Sequence, residues 1–327
     1  VPYEIHWVHH YDFATINLNI FSFSSVLGPL AEKEKFDVIH GNAEEAYWAG
    51  KIAKRNKSTY FFTSHTPNIP ITGMLKGMMR PIRFLKSLNT YLLRQAISEA
   101  DQVVAFSHFS RDLIIKGINN TCANKIKVIS PGVESSWFEV ERKPSSGSAL
   151  LFWGRIEEEK GLRELFYALK TVSKMIKDVS LTIVGEGNRL REYKSLVADL
   201  SLTDRVEFTG WLCSTKIQNL TARNSLGIFP SRVESFGLSV VEAMGAGLPV
   251  IAASGGAVPE NIEQGVTGTL VPVNDADALA RAIIFILENV QHAESMAKEA
   301  KMVVQQKFTW DKAANKMIDL YELHTDM

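Results

Sequence analysis

The chain has 327 residues, of which 46% are hydrophobic and 22% charged, with 36 basic and 36 acidic side chains. This composition excludes a disordered or fibrous protein, and the length predicts two domains of ordinary size. The balanced charge provides no overall field that would favour nucleic acid, so any partner is recognised locally.

Short apolar runs alternate with longer amphipathic segments, which predicts parallel strands connected by helices on both faces of a sheet. The strands predicted in the first half are Ile5–His9, Phe36–His40, Thr59–His65, Gln102–Ser107 and Lys125–Ser130. Those predicted in the second half are Ala149–Gly154, Ser180–Gly185, Val206–Gly210, Leu226–Pro230 and Pro249–Ser254. The predicted fold class is α/β, with two doubly wound, Rossmann-like units.

A linker between the two units is predicted from Pro131-Gly132 and from the polar Pro/Gly/Ser cluster at 142–148. The expected domains are residues 1–140, residues 141–307, and a C-terminal helix at 308–327 that packs back on the first domain. Ligands of open parallel sheets bind beyond the carboxyl ends of the strands, so we expect two such sheets to face each other across a cleft.

The segment 229–252 combines several features of an anion site. A strand ends at Pro230, Glu234 follows in a tight loop, and Gly237 opens a helix that carries Glu242 in its second turn. The amides at a helix N-terminus suit a diphosphate, and the two carboxylates can accept hydrogen bonds from sugar hydroxyls. Either Glu alone is better explained as a solvated acid, but the combination predicts a nucleotide-sugar site.

Two cations follow the strand that ends at Gly154. Arg155 and Lys160 lie on the loop before a predicted helix, at the sheet edge where a diphosphate is expected. The alternative is an exposed pair flanked by acids, since three glutamates separate the two cations. Further along, Gly185-Glu186-Gly187 lacks the third glycine of a dinucleotide fingerprint, so we interpret it as a turn that lets the backbone approach a ligand. Trp211 is expected to pack near a base, with packing in the core or at the hinge as the alternative.

These motifs together resemble the retaining glycosyltransferases of family 4, which have the GT-B fold. The resemblance rests on Glu234 and Glu242 with seven residues between them, on the Gly-Arg…Glu-Lys-Gly loop at 154–161 and on Val184-Gly-Glu-Gly. Val206-Glu-Phe-Thr-Gly, Gly255-Gly-Ala-Val-Pro-Glu, Gly265-Val-Thr-Gly and Phe308-Thr-Trp also match. It covers residues 40–327 and is strongest from 125 onward.

The resemblance implies transfer of a sugar from a nucleoside diphosphate sugar to a carbohydrate or lipid-linked acceptor hydroxyl, with retention at the anomeric carbon. It implies no cofactor and no essential metal. The implied catalytic residues are His65, Arg155, Lys160 and Glu234. The implied donor-binding residues are Gly154, Gly185, Glu186, Gly187, Ser235, Phe236, Gly237, Leu238 and Glu242. A nucleotide-sugar epimerase and a truncated, non-catalytic nucleotide-sugar-binding protein are the alternatives.

The front of the chain departs from the family pattern. The usual first strand and glycine-rich loop are not recognisable before His40, so we expect the N-terminal domain to be incomplete. His65 ends a predicted strand, with helix capping or packing as the alternative to a role at the donor. His6, His9, His10 and His40 are expected to be solvated rather than metal-bound. Asp275 and Asp277 are expected to cap a helix.

Residues 66–98 contain no acidic side chain, and several cations lie among apolar residues at 74–94. This segment either rests on an anionic membrane surface or forms a core helix with a charged face. Cys122 and Cys213 lie far apart without a metal-binding spacing, which favours a reducing compartment. No signal peptide is recognisable, so the expected location is cytoplasmic, with peripheral contact at the inner membrane face.

Overall fold

A computed structural model describes residues 36–42, 47–65, 91, 93–118, 120–143 and 148–325. The chain divides into two compact units. The first comprises Val1–Ile129 together with Asn315–Met327, and the second comprises Ser130–Ala314. Each unit is built on its own parallel sheet.

The sheet of the first unit has four parallel strands in the order β1-β2-β3-β4. They are β1 (Val38–Asn42), β2 (Thr59–Ser64), β3 (Gln102–Ala105) and β4 (Ile126–Val128). Helix α1 (Tyr47–Asn56) joins the first two strands, and α2 (His108–Ile118) follows the third. Residues 93–99 are also helical. The core beside the sheet is apolar and includes Tyr60, Phe62, Ile97, Val103 and Ile114.

The sheet of the second unit has six parallel strands in the order β7-β6-β5-β8-β9-β10. Its strands are β5 (Ala149–Trp153), β6 (Ser180–Val184), β7 (Val206–Gly210), β8 (Leu226–Phe229), β9 (Val250–Ala253) and β10 (Thr269–Val271). Chain order therefore runs outward in one direction from β5 and in the other from β8, which is the doubly wound arrangement expected from the sequence.

Helices α3 to α7 of the second unit connect successive strands, and α8 and α9 follow β10. They are α3 (Leu162–Met175), α4 (Leu190–Asp199), α5 (Ser214–Arg223), α6 (Leu238–Gly245), α7 (Val258–Asn261), α8 (Ala276–Glu288) and α9 (Val290–Lys307). Strands β8 and β9 are buried along their whole length, because helices cover both faces of a parallel sheet. Helix α3 buries Leu162, Leu165, Phe166, Leu169 and Val172, whose spacing forms one helical face.

The last helix, α10 (Trp310–Thr325), spans the division between the two units. Within the first unit, Leu320 is buried against Phe61, Val104 and Ile129. The predicted 308–327 segment is thus helical from Trp310 onward, and its part from Asn315 belongs to the first unit.

The division of the chain lies at 129/130, ahead of the predicted boundary at 140/141. Residues after it are held by the second unit, since the Val133 amide donates to the Phe308 carbonyl over 2.9 Å and Trp137 stacks on Trp153. The predicted linker at 142–148 also begins inside this unit, where Arg142 donates to the carbonyls of Asn224 and Gly247. Residues 144–147 are outside the described part of the chain.

Candidate functional site

The order of the six-stranded sheet creates a switch point between β5 and β8. The chain leaves β5 towards β6 on one side and leaves β8 towards β9 on the other, so the two following loops diverge from adjacent strand ends. In open α/β sheets this is where ligands bind. The loop after β5 carries Arg155 and Lys160, and the loop after β8 carries Glu234.

The β5–α3 loop is tightly built around Gly161. This glycine has φ +67°, and a Cβ on it would lie 2.0 Å from the Pro230 carbonyl oxygen. A side chain is therefore excluded both by the backbone conformation and by the β8–α6 loop. Arg155 on the same loop is 70% exposed and, among the described residues, forms an ion pair only with Glu159 at 3.1 Å, whereas Lys160 points towards the neighbouring loop.

Lys160 and Glu234 form an ion pair across the two loops. Lys160 Nζ lies 2.6 Å from Glu234 Oε1, and the two side chains are 15% and 19% exposed. The sequence predicted both residues at one site, and the structure brings them into direct contact. A half-buried pair of this kind is strengthened by its low local dielectric, and its members are available to a ligand that enters at the same edge.

The β8–α6 loop is held in place by hydrogen bonds at both ends. The Arg232 amide donates to the Glu159 carbonyl at 2.7 Å, and the Ala257 amide donates to the Glu234 carbonyl at 2.9 Å. The buried Asn261 side chain donates to the Phe236 carbonyl at 2.5 Å. These bonds fix the loop that leads into Gly237, the residue before α6.

Helix α6 presents its N-terminus at the same sheet edge. Gly237 caps it with φ +89° and no side-chain hydrogen bond, and Leu238 is exposed. The amides in the first turn of a helix have no carbonyl one turn earlier to bond to, and they carry the positive end of its dipole. The predicted stretch Ser235, Phe236, Gly237 and Leu238 thus leads into an anion-compatible terminus, although the Phe236 side chain itself is buried against Phe308.

Glu242 lies one turn further along α6, in a largely buried position. Its Oε2 accepts a hydrogen bond of 2.9 Å from the Trp153 indole at the end of β5. Burial raises the pKa of Glu242 to about 7; the Trp153 hydrogen bond opposes this shift, and the charge of Glu134 adds to it. The alternative of Glu242 as a solvated acid is therefore wrong, since this carboxyl group is largely buried and accepts a hydrogen bond from an indole.

The turn at Gly185-Glu186-Gly187 packs on the Arg155 loop. A Cβ on Gly185 would lie 2.0 Å from the Gly154 carbonyl oxygen, and one on Gly187 would lie 2.3 Å from that of Ile156. The Ile156 amide also donates to the Glu186 carbonyl over 2.8 Å. These two positions thus require glycine because the backbone of the neighbouring loop approaches them closely. The sequence interpretation had attributed the need for glycine to the approach of a ligand.

The strand after this turn ends in an exposed aromatic ring. Trp211 follows Gly210 at the end of β7 and is 71% exposed, so the expectation of a core tryptophan is wrong. The Glu186 side chain lies close by, with Oε1 3.7 Å from the position of a Cβ on Gly210. An exposed ring and a carboxylate thus lie at the same edge as the Arg155 loop.

An ion-pair network that joins the two loops was not predicted from the sequence. Arg232 pairs with Glu164 at 2.9 Å and with Glu158 at 3.4 Å, while Glu158 also pairs with Arg189 at 2.5 Å. Glu158, one of the three acids that separate Arg155 from Lys160, therefore has cationic partners outside this loop. The run of acids Glu157–Glu159 is visible in the sequence and indicates that cations lie nearby. Which cations these are, Arg189 and Arg232, depends on the tertiary fold.

His65 lies in the first unit, directly after β2. Its Nε2 is 3.1 Å from Asn42 Oδ1, and its ring packs edge-on against Phe106. The side chain is exposed at the carboxyl end of the four-stranded sheet, where the sequence predicted it. The structure thus gives His65 two neighbours in its own unit, both compatible with a positioned imidazole.

His40 is half-buried and hydrogen-bonded through both ring nitrogens, whereas the sequence predicted a solvated histidine. Both ring nitrogens have hydrogen-bond partners, Tyr321 on the last helix and Thr63 at 2.6 Å on β2. Burial lowers the pKa of His40 to about 4, with a smaller contribution from His65. His6, His9 and His10 are outside the described residues.

Asp275 caps α8, as the sequence predicted, by accepting a hydrogen bond of 2.8 Å from the Ala278 amide. Among the described residues, no three His, Cys, Asp or Glu side chains gather in a way that could hold a metal ion. The described helices also include none with the length and apolar character needed to cross a bilayer. Of the basic segment 74–94, residues 74–90 and 92 are outside the described part of the chain.

Two family models match the chain. The model of glycosyl transferases group 1 matches residues 133–303, and that of glycosyltransferase family 4 matches residues 3–137. The second match begins at residue 3, so the resemblance extends further towards the start than the motifs from residue 40 onward indicated.

Similar proteins include glycosyltransferases from distant organisms. An uncharacterised glycosyltransferase of Methanocaldococcus jannaschii is 27% identical over 312 residues, which cover 90% of this chain and 77% of that protein. The glycogen synthase of Mycobacterium tuberculosis is 29% identical over 256 residues, which cover 76% of this chain and 59% of the synthase.

Solved structures share the fold over most of the chain. Sucrose-phosphate synthase from Thermosynechococcus elongatus superposes with a TM-score of 0.80 at 24% identity, covering 93% of this chain and 77% of the other. Anabaena HepE, solved in complex with UDP and glucose, superposes with a TM-score of 0.75 at 21% identity. The superposition covers 94% of this chain and 83% of HepE. The chain thus belongs to the glycosyl transferases group 1 family and is a glycosyltransferase with the GT-B fold.

Proposed function

We propose that this glycosyltransferase moves a hexose from a nucleoside diphosphate sugar to an acceptor hydroxyl, with retention at the anomeric carbon. The observation that carries the proposal is the Lys160–Glu234 ion pair at the switch point, beside the N-terminus of α6. A cation, a carboxylate and free helix amides at one sheet edge are what a sugar diphosphate needs.

The diphosphate is assigned to Lys160, Arg155 and the amides that open α6. Lys160 is a compact charge already held in place, whereas the exposed Arg155 can exchange its weak pairing with Glu159 for a phosphate oxygen. Together they offset the negative charge that develops on the leaving nucleoside diphosphate. In this proposal the cations and the helix dipole stabilise the leaving group without an essential metal ion.

The sugar and the nucleoside are assigned to residues around this centre. Glu234 accepts hydrogen bonds from donor sugar hydroxyls, and Glu242 uses the oxygen that Trp153 leaves free to bind the ribose. Trp211 is exposed at the same edge and offers its indole face for stacking with a base. The complex of HepE with UDP and glucose supports a uridine nucleotide and a hexose as the first donor to try.

Retention follows from the family resemblance. The acceptor attacks the face from which the diphosphate leaves, and a phosphate oxygen of the leaving group takes the acceptor proton. In this scheme Lys160 and Glu234 hold the two sides of the breaking bond, and no protein carboxylate becomes a covalent nucleophile. We assign His65 to the donor sugar or to positioning of the reacting groups.

Calorimetric titration with UDP, GDP and ADP, with and without EDTA, tests the donor assignment. One nucleoside diphosphate should bind, with an affinity that EDTA leaves unchanged, and Lys160→Met should weaken binding by about tenfold or more, because it removes a charge-assisted contact. Lys170→Met is the matched control, since Lys170 is exposed on α3, and should bind as the wild type does. The proposal fails if no nucleoside diphosphate binds below about 1 mM or if Lys160→Met binds normally while retaining its fold.

Turnover is measured separately by the release of nucleoside diphosphate from the preferred donor, alone and with candidate acceptors. Acceptor-dependent release and an α-configured product from an α-configured donor, seen by NMR, are expected. Conversion of the donor to an isomeric nucleotide sugar without an acceptor would instead identify an epimerase.

A further inference from the structure

The second unit has a cavity at the amino edge of its sheet. It encloses about 650 Å³ and is lined by Ser148, Ser225 and Pro249, which directly precede β5, β8 and β9. In a parallel sheet this edge is opposite to the one that carries Lys160 and Glu234. A volume of this size is typical of sites for small organic molecules.

One wall of the cavity is apolar and is formed by α8 and α9, which pack against each other. Helix α9 contributes Val290, Ala293 and Ala297, whose spacing places them on one helical face. Helix α8 adds Ile286 and Leu287 near its end. Val290 is 58% exposed, so the apolar wall continues to the solvent at the mouth of the cavity.

Two cations lie close together at one end of this wall: Lys301, on the same face of α9, and Arg142, on the segment before β5. The Arg142 guanidinium donates to the Gly247 carbonyl at 2.8 Å and to the Asn224 carbonyl at 2.9 Å. Lys301 Cδ and Arg142 Cδ lie 3.5 and 3.9 Å from the position of a Cβ on Gly247. The two side chains thus run past the same glycine, and the hydrogen bonds to neutral carbonyls orient the arginine without cancelling its charge.

These cations lack a counter-ion in the described part of the chain. No carboxylate there pairs with Arg142 or Lys301 within 4 Å; Glu294 also lines the cavity, but it is exposed and acts on Arg142 only through its charge. Burial lowers the pKa of Arg142 to about 10 and also lowers the pKa of Lys301. Two partly desolvated positive charges beside an apolar wall are stabilised by an incoming anion. Lys298, also at the cavity, adds to this field.

We propose that this cavity binds a small organic anion whose carboxylate or phosphate group pairs with Lys301 and Arg142 and whose apolar part lies against Leu287 and Val290. The forked guanidinium and the flexible ammonium together match two oxygens of such a group. An apolar body of the size of one aromatic ring fits the remaining volume. The site is separate from the proposed donor site, since its residues precede the strands rather than follow them.

Titration calorimetry with phenyl phosphate tests the proposal, with phenylacetate as a second anion and inorganic phosphate and benzyl alcohol as partial probes. Phenyl phosphate or phenylacetate should bind the wild type at least about tenfold more tightly than either partial probe, because only they fill both halves of the site. Tighter binding of phenyl phosphate would indicate a phosphate site, and tighter binding of phenylacetate would indicate a carboxylate site.

Variants locate the binding. Lys301→Gln removes the unpaired ammonium, and Val290→Asp places a negative charge at the exposed mouth; each should weaken binding of the preferred anion by about tenfold. Lys307→Gln, on an exposed position of α9 away from the cavity, and Lys160→Met, at the opposite sheet edge, should bind as the wild type does. The proposal is overturned if neither anion binds, or if Lys301→Gln and Val290→Asp, shown to be folded by circular dichroism, retain wild-type affinity.

Discussion

Lys160 and Glu234 show how single residues can be prepared for a charged ligand before it arrives. Each side chain is held by the other at 2.6 Å, so neither has to be ordered when a ligand binds. In the proposed function, a diphosphate that approaches Lys160 competes with Glu234, and this carboxylate then becomes available to sugar hydroxyls. The proposal therefore assigns to the ion pair a link between recognition of the phosphate and recognition of the sugar.

Glu242 should make the stability of the second unit depend on pH. Its pKa is raised from 4.5 to about 7 by burial. Between pH 4.5 and pH 7, the folded state therefore keeps the proton on Glu242, whereas the unfolded state has lost it. The stabilising contribution of this proton is complete below pH 4.5 and is lost as the pH rises through 7. Glu242→Gln stays neutral and should therefore increase the free energy of unfolding by about 1–3 kcal/mol at pH 8, with little effect at pH 4.5.

Urea unfolding followed by tryptophan fluorescence measures this difference, since Trp153 lies against Glu242. Glu207→Gln, at an exposed position on β7, is the matched control and should show no such pH-dependent gain. An equal effect of Glu242→Gln at both pH values would indicate a packing effect and contradict the titration argument.

At the scale of elements, the β5–α3 and β8–α6 loops are joined to each other by hydrogen bonds and ion pairs. The Arg232 amide binds the Glu159 carbonyl, and the Arg232 guanidinium pairs with Glu158 and Glu164. Arg232 lies two residues before Glu234, so these contacts set the position of the loop from which Glu234 reaches Lys160. Arg232 is in this sense a positioning residue for the proposed donor site.

Arg232→Met should weaken binding of the preferred nucleoside diphosphate sugar by about fivefold to tenfold, because the β8–α6 loop loses its ion pairs and Glu164 is left half-buried without its cation. Calorimetry measures this loss, and Arg232→Lys should restore part of it through its charge. Arg191→Met, at an exposed position on α4, is the control. If Arg232→Met lowers only the melting temperature and leaves affinity unchanged, Arg232 has a purely structural role.

The strands of the second unit could be predicted to within about one residue, because parallel strands covered on both faces are continuous apolar runs. Strand β10 was missed, since Thr269–Val271 is too short to form such a run. The loop that carries Glu234 and the helix that follows Gly237 and carries Glu242 were predictable because their residues are local in sequence. The partners of Arg232 and His40 were not, since they depend on which distant side chains the fold brings together.

At the scale of the molecule, the residues proposed to bind the diphosphate and ribose all belong to the second unit, from Gly154 to Glu242. Helix α6 runs between the two edges of its sheet: Gly237 opens it beside the proposed donor site, and Ala246 follows its end at the cavity that contains Arg142. One short helix thus contacts both proposed ligand sites of this unit.

The last helix should contribute to the stability of the first unit, although it follows the second unit in the chain. Leu320 is buried against Phe61, Val104 and Ile129, so Leu320→Ala should destabilise the first unit by about 2–4 kcal/mol through lost burial and a cavity. Hydrogen exchange read by mass spectrometry should show faster exchange in β2 and β3, with β5 and β8 unchanged. Leu323→Ala, an exposed position on the same helix, is the control and should leave all four strands protected. Equal loss of protection in both units would mean that they unfold together and that the effect of Leu320 is not confined to the first.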